Sequence, residues 1–264
     1  MTRFLTSGLL SLLIFSFQLS IQPASAQDSA PFFTSHPTLT PDGNHILFSY
    51  ESDLWMVPSE GGQAVRLTAM DGIETRPEVS PDGQWVAFSS EQYGNMDVYI
   101  MPIEGGEIRQ LTFHQAADEV EGWSWDSQTI HFTSNRENRF STWQVSLNGG
   151  TPARIFSHYH NTDHNAAAHP DGRVFFNTSW ESKNQAHRKR YRGSFAPQIE
   201  SWNPESEEYE VHTDYNGKDM WPAIDRSGTV YFVSDEHNGE YNLYRLTAGG
   251  KERLTSFSTS IKHP

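Results

Sequence analysis

Apolar side chains along this chain come in short bursts, each cut off by a polar turn. Ile46-Leu47-Phe48, Val86-Ala87-Phe88, Ile130-His131-Phe132, Val174-Phe175-Phe176 and Val230-Tyr231-Phe232 are the clearest. None extends into the three- and four-residue spacing of an amphipathic helix, so short strands are predicted and no sustained helix. A tight-turn signal precedes each burst: Pro41-Asp42-Gly43, Pro81-Asp82-Gly83, Trp125-Asp126-Ser127, Pro170-Asp171-Gly172 and Arg226-Ser227-Gly228. Proline presets the first corner of a β-turn and glycine accepts its exit geometry. A second run follows, marked by Trp55, Tyr99, Trp143, Trp202 and Tyr244. Then comes Gly61-Gly62, Gly105-Gly106, Gly149-Gly150 or Gly249-Gly250, replaced in the fourth unit by Pro204-Glu205-Ser206. A last run closes each unit, ending at Leu67, Leu111, Ile155, Val211 and Leu254.

The five phenylalanines Phe48, Phe88, Phe132, Phe176 and Phe232 are spaced by 40, 44, 44 and 56 residues. A four-strand unit repeated at this period is the size of a propeller blade. A β-sandwich also has many short strands, but not this regular long period. The fold class expected is therefore all-β: a β-propeller of four-stranded blades, five complete and a sixth truncated. Consecutive apolar residues in the middle strands fit sheets packed on both faces. Blades are expected at about 32–72, 73–118, 119–162, 163–218 and 219–261, within a propeller region 27–264. His263-Pro264 reads as the opening of the sixth, because Ser35-His36-Pro37 opens the first. A missing sixth blade would leave apolar side chains such as Phe232 or Ile46 uncovered.

The first residues change the picture of where the protein resides. Arg3, the apolar run Phe4 to Leu19 and Ala24-Ser25-Ala26 form a secretory signal peptide pattern, residues 1–26, with export to the periplasm or medium expected. The chain has 264 residues, no cysteine and a formal net charge of −14. Absence of cysteine rules out disulfides and thiolate chemistry. An acidic surface disfavours nucleic acid and anionic membrane as partners; self-association is left open.

No catalytic constellation is legible. The nearest approach to a nucleophile elbow, Gly122-Trp123-Ser124-Trp125-Asp126, lacks the second glycine and falls at a blade turn. His158, His160, Asp163 and His164 could be imagined around zinc, but a polar inter-blade loop accounts for them. Neither metal nor cofactor is predicted. The fourth unit carries the excess length, between Thr178 and Pro197. Five of the chain's 19 basic residues fall between Lys183 and Arg192. Arg188, Lys189, Arg190, Tyr191 and Arg192 are therefore the candidate site for a peptide or another anion. A solvated loop, or neutralisation by the protein's own acids such as those in Glu205–Glu210, is the competing reading.

The stretch Arg76 to Thr112 closely matches the repeat P-x-x-S-P-D-G-x-x-x-A-F-x-S, then G-N-x-D-x-Y, G-G and L-T. It resembles the WD-like propeller repeats at the N-terminus of tricorn-type serine peptidases, within a wider set that includes TolB. The insert "RKRYRG" ahead of Ile199 to Trp202 also resembles that family, and the resemblance covers about residues 32–264. It implies a six-bladed propeller followed by a peptidase region that holds the catalytic serine, whose positions this chain does not contain. The implied role is non-catalytic: gating or binding peptides or unfolded protein for a downstream peptidase region of the same gene product. Two alternatives are a TolB-like periplasmic scaffold and the propeller of a prolyl-oligopeptidase-like hydrolase.

Overall fold

A computed structural model of the chain describes residues 34–137, 139–156, 162–184 and 186–263. The segment 1–26, read above as a signal peptide pattern, and the histidines 158 and 160 lie outside these residues. Twenty short strands form five antiparallel sheets, each with its four strands in chain order. The first sheet holds β1 (Ser35–Leu39), β2 (His45–Tyr50), β3 (Asp53–Pro58) and β4 (Val65–Arg66). The second holds β5 (Glu74–Val79), β6 (Trp85–Ser90), β7 (Asp97–Pro102) and β8 (Arg109–Gln110). The third holds β9 (Asp118–Trp123), β10 (Thr129–Ser134), β11 (Ser141–Ser146) and β12 (Ala153–Arg154). In the fourth, β13 (His164–Ala168) and β14 (Val174–Asn177) precede a one-turn helix α1 (Trp180–Asn184), then β15 (Ile199–Asn203) and β16 (Glu208–Val211). The fifth holds β17 (Asp219–Ile224), β18 (Val230–Ser234), β19 (Asn242–Thr247) and β20 (Gly250–Arg253). Asp118 opens the third sheet instead of closing the second, and α1 is the one departure from the all-strand reading among the described residues.

The turn between the first two strands is held by a side-chain clasp. Thr40 Oγ1 donates to Asp42 Oδ1 (2.5 Å), and Asp42 accepts from the Asn44 N–H (3.0 Å). Ser80 and Asp82 repeat the clasp at 2.6 and 3.0 Å. So do Ser124 and Asp126, at the same two distances, although that turn has lost both proline and glycine. Ser127 takes the glycine's place with φ of 59°. In these three turns a hydroxyl stands two residues before the aspartate; in the fourth His169 stands there, 2.6 Å from Asp171, and in the fifth Asp225 accepts from Ser227 and Thr229.

The closing Leu-Thr is also a clasp. Backbone N–H groups of Leu54, Val98, Ile199 and Leu243 donate to the hydroxyls of Thr68, Thr112, Thr213 and Thr255 at 2.9, 2.9, 3.1 and 2.9 Å. This ties the exit of each outer strand to the start of the third strand. It satisfies donors that strands of two or four residues cannot reach.

Alternation along the strands assigns the faces. Leu47 and Leu54 of the first sheet pack with Val86, Phe88, Tyr99 and Met101 of the second. The opposite face of the second, through Ala87, Val98 and Ile100, packs with Val120, Phe132 and Trp143 of the third. Each such fully buried side chain contributes about 1.5–3 kcal/mol by leaving water. Phe232 follows the same parity. It faces the fourth sheet, packs with Phe175 and Tyr244 and is fully buried, so it is not an uncovered residue. Its neighbour Val233 points the other way and is covered by Ala186 of the insert and by Ile261. Ile46, on the corresponding side of the first sheet, is half-buried.

The marker aromatics pair directly with the phenylalanines in four sheets: Phe48 with Trp55, Phe88 with Tyr99, Phe132 with Trp143, Phe232 with Tyr244. In the fourth sheet Phe176 pairs with Glu200 instead, and Trp202 lies two residues on, opposite Val174. Trp202 is therefore not the equivalent of Trp55; its ring lies 4.4 Å from that of Tyr209. Two residues are the smallest shift that keeps a strand side chain on the same face.

Candidate passage and basic insert

The innermost strands β1, β5, β9, β13 and β17 surround a common cavity of about 620 Å³. Leu39, Val79, Trp123, Ala167, Trp221 and Ile224 supply an apolar lining. Three carboxyl groups line it: Glu121, Glu78 and Asp225, the last held below its ordinary range chiefly by a hydrogen bond from Ser227. Glu121 accepts hydrogen bonds from Thr133 and Thr142 (3.1 Å for the second) and from the backbone N–H groups of Asn165 (2.6 Å) and Ala166 (3.1 Å). Desolvation pushes Glu78 up to about 7, against a hydrogen bond from Thr38 and the charge of Arg76.

A local irregularity marks the end at which the inner strands begin. Register shifts mark β-bulges at Ser35/Thr38, Thr75/Glu78, His164/Ala167 and Met220/Ala223. Within them His36, Arg76, Asn165 and Trp221 have φ of 50°, 54°, 58° and 56°, a left-handed conformation that re-aims the side chain. His263 shares it at 50°. The Ile261 N–H donates to the Tyr241 carbonyl (3.0 Å), as Glu74 does to Ser52 and Asp118 to Met96, both at 2.8 Å. Residues 261–263 thus repeat the start of an inner strand.

Charged groups from three sheets meet there. Glu119 Oε2 is 3.0 Å from Arg76 Nη2 and 2.7 Å from Lys183 Nζ. Desolvation would raise the Glu119 carboxyl, but Lys183 and Arg76 outweigh it and hold it below its ordinary range. His36 Nδ1 lies 3.0 Å from Thr75 Oγ1, and the His263 and Trp221 rings are 4.3 Å apart. Desolvation in this recess, with Arg76 the next contribution, pulls both histidines down to about 4, so both are neutral at physiological pH.

The insert lies beside this end, and every basic residue of the candidate set has a partner. Arg188 pairs with Glu181, and its guanidinium stands 4.4 Å from the Tyr191 ring. Lys189 meets Glu240 at 2.5 Å. The Arg190 N–H donates to Asp235 (2.6 Å), and its Nη2 donates to the Asn238 carbonyl (3.1 Å). Arg192 lies 3.3 Å from Asp235 and 4.7 Å from the Tyr215 ring. The neutralising acids are Glu181, Asp235 and Glu240, not the Glu205–Glu210 run. Two of them belong to the loop between β18 and β19, so the insert bridges the fourth and fifth sheets. Arg188 and Tyr191 also border a cleft of about 510 Å³ with Phe140 and Phe195.

His164 has another role than the one imagined for it. Its Nε2 is 2.9 Å from Ser182 Oγ and its Nδ1 is 2.7 Å from Asn165 Oδ1. The connectivity is that of a nucleophile, a base and an orienting amide. Yet Ser182 and His164 are buried, and the hydroxyl donates to the Ser179 carbonyl (2.7 Å) and accepts from Asn177 (2.8 Å). No substrate carbonyl can reach it; the chain of bonds anchors α1 to β13 and β14. Among the described residues no group of three or more acidic or histidine side chains is arranged to hold a metal.

Five four-stranded meanders around a shared passage define a β-propeller. Residues 31–263 match the tricorn protease N-terminal beta propeller domain, and the chain belongs to that family. It is 37% identical over 68 residues to the tricorn protease homolog 1 of Streptomyces coelicolor; the match spans 26% of this chain and 6% of that protein. Among solved structures, the tricorn protease superposes with a TM-score of 0.69 at 19% identity, covering 86% of this chain and 23% of that one. TolB from Acinetobacter baumannii gives 0.63 at 16%, covering 87% and 56%. The structural likenesses establish the fold alone.

Proposed function

We propose that this chain is the non-catalytic, peptide-handling propeller of an exported tricorn-like protease, with hydrolysis performed by a peptidase region outside these residues. The observation that carries the reading is the passage through the inner strands. Its aromatic and aliphatic walls suit side chains of an extended peptide; Glu121 is fully hydrogen bonded, Glu78 is raised toward its neutral form, and Asp225 stands beside Arg226. The start of an inner strand at 261–263 supports a sixth blade, which would sit between the fifth sheet and the half-buried Ile46 side of the first. The pattern at residues 1–26 supports export.

Narrowing the passage tests the central claim. Ala167→Trp in the full-length gene product is expected to lower kcat/KM several-fold for long peptides and leave tripeptide turnover unchanged. Equal turnover of both by the variant and the parent would overturn it. Sequencing the mature N-terminus is expected to find Gln27 first.

A further inference from the structure

Where the inner strands begin, two cations meet one carboxylate, in a chain of net charge −14. Arg76 and Lys183 share a single carboxylate oxygen, Glu119 Oε2. His36 and His263 beside them are neutral at physiological pH. Farther along the passage stand Glu121, which takes four hydrogen bonds, Glu78, raised toward its neutral form, and Asp225, held low beside Arg226. The cations also come from different places. Arg76 sits on the left-handed bulge of β5, and Lys183 sits in α1, which the buried Ser182 anchors to the fourth sheet. Both remain partly open to solvent, with 28% and 16% of their side-chain surface exposed. The same geometry recurs wherever two fixed cations face one exchangeable carboxylate.

We propose that Arg76 and Lys183 form a binding site for small organic carboxylates at the end where the inner strands begin, with Glu119 as the built-in competitor. A bound carboxylate takes the place of the Glu119 oxygen between the two cations. Glu119 then swings toward solvent, and the link it makes between the second, third and fourth blades opens. The site is distinct from the basic insert, whose cations at 188–192 are engaged with Glu181, Asp235 and Glu240. It goes beyond the peptide-handling reading and does not depend on it.

The opposing signs expected of two substitutions make the test decisive. Succinate is titrated into the purified protein and followed by the shifts of Trp221 and His263 in nuclear magnetic resonance spectra, with methylammonium as the cationic control. Saturable succinate binding is expected, weakening as sodium chloride is raised, with no saturable response to methylammonium. Arg76→Gln together with Lys183→Gln is expected to weaken succinate binding at least 10-fold. Glu119→Gln is expected to tighten it about 3- to 10-fold, because it removes the competitor while leaving both cations. A general loss of structure cannot tighten binding, so Glu119→Gln decides the matter even if the double variant folds poorly. Absence of saturable succinate binding, or Glu119→Gln binding no tighter than the parent, would overturn the proposal. Peptide turnover by the full-length product plays no part in this readout.

Discussion

Glu74 is a fully buried carboxyl group at the junction of the first two sheets, with neither oxygen hydrogen bonded. Desolvation pushes it up to about 7; Thr68 opposes the rise and the charge of Asp53 adds to it. Asp163, at the junction of the third and fourth sheets, is likewise buried and unpartnered, and desolvation followed by the charge of Glu200 raises it to about 7. Both groups hold a proton more tightly folded than unfolded. Their contribution to stability is therefore fully present below the ordinary carboxyl range and is lost as pH rises through about 7. The melting temperature is expected to fall between about pH 7 and pH 8, above the range in which depressed histidines such as His36 and His263 add stability as pH rises. Glu74→Gln, which makes the neutral form permanent, is expected to raise it by a few degrees at pH 8 and to flatten the profile. A melting temperature that rises with pH across this range would contradict the assignment. Neither residue differs in type from the exposed acids around it. Their burial follows from inter-sheet packing, which no run of residues encodes locally.

Two elements carry the repeat; the sequence marked where both fall, and the structure showed the side-chain bonds that make them. The turn clasp and the Leu-Thr clasp are made within one unit, so a short window contains both partners. Thr112 accepts from the Val98 N–H and donates to Asp97 Oδ1 at 3.0 Å, all of it buried. Thr112→Val leaves both partners unsatisfied and is expected to cost about 2 kcal/mol in urea unfolding, whereas Thr112→Ser should cost less than half of that. The insert is the opposite case. Its positive charge was evident, but its partners Asp235 and Glu240 lie some 45–50 residues along the chain. Asp235 is fully buried and takes hydrogen bonds from Arg190, Arg192 and the Lys218 N–H. Asp235→Asn is expected to destabilise the protein by about 3 kcal/mol, more than any single insert substitution to glutamine, because it leaves several donors without their charge partner. Replacing Arg188, Lys189, Arg190 and Arg192 together by glutamine separates the two readings of the insert. Lower stability with unchanged peptide affinity assigns it to bridging alone; lost affinity assigns it to an anion as well.

At the scale of the molecule, the one serine–histidine–amide chain described above, Ser182–His164–Asn165, has its serine and histidine buried. The purified chain is expected to hydrolyse no peptide, and turnover that survives Ser182→Ala and His164→Ala would point to a contaminant. Turnover abolished by Ser182→Ala would overturn this reading. The matched stretch spans 6% of the Streptomyces coelicolor relative. Period, turn chemistry, blade count and family were all determined by the sequence itself. Each depends on contacts within about 45 residues, and repetition multiplies a weak local signal five times. The displaced Trp202, the side on which Phe232 lies, the acids that neutralise the insert and the ring of bulge residues at the passage mouth were decided by tertiary structure alone. A one-residue change of parity exchanges one neighbouring blade for the other, and a bulge re-aims a side chain without altering the apolar pattern around it. What meets along the axis comes from all five units at once, so its charge balance exists only after the sheets have packed.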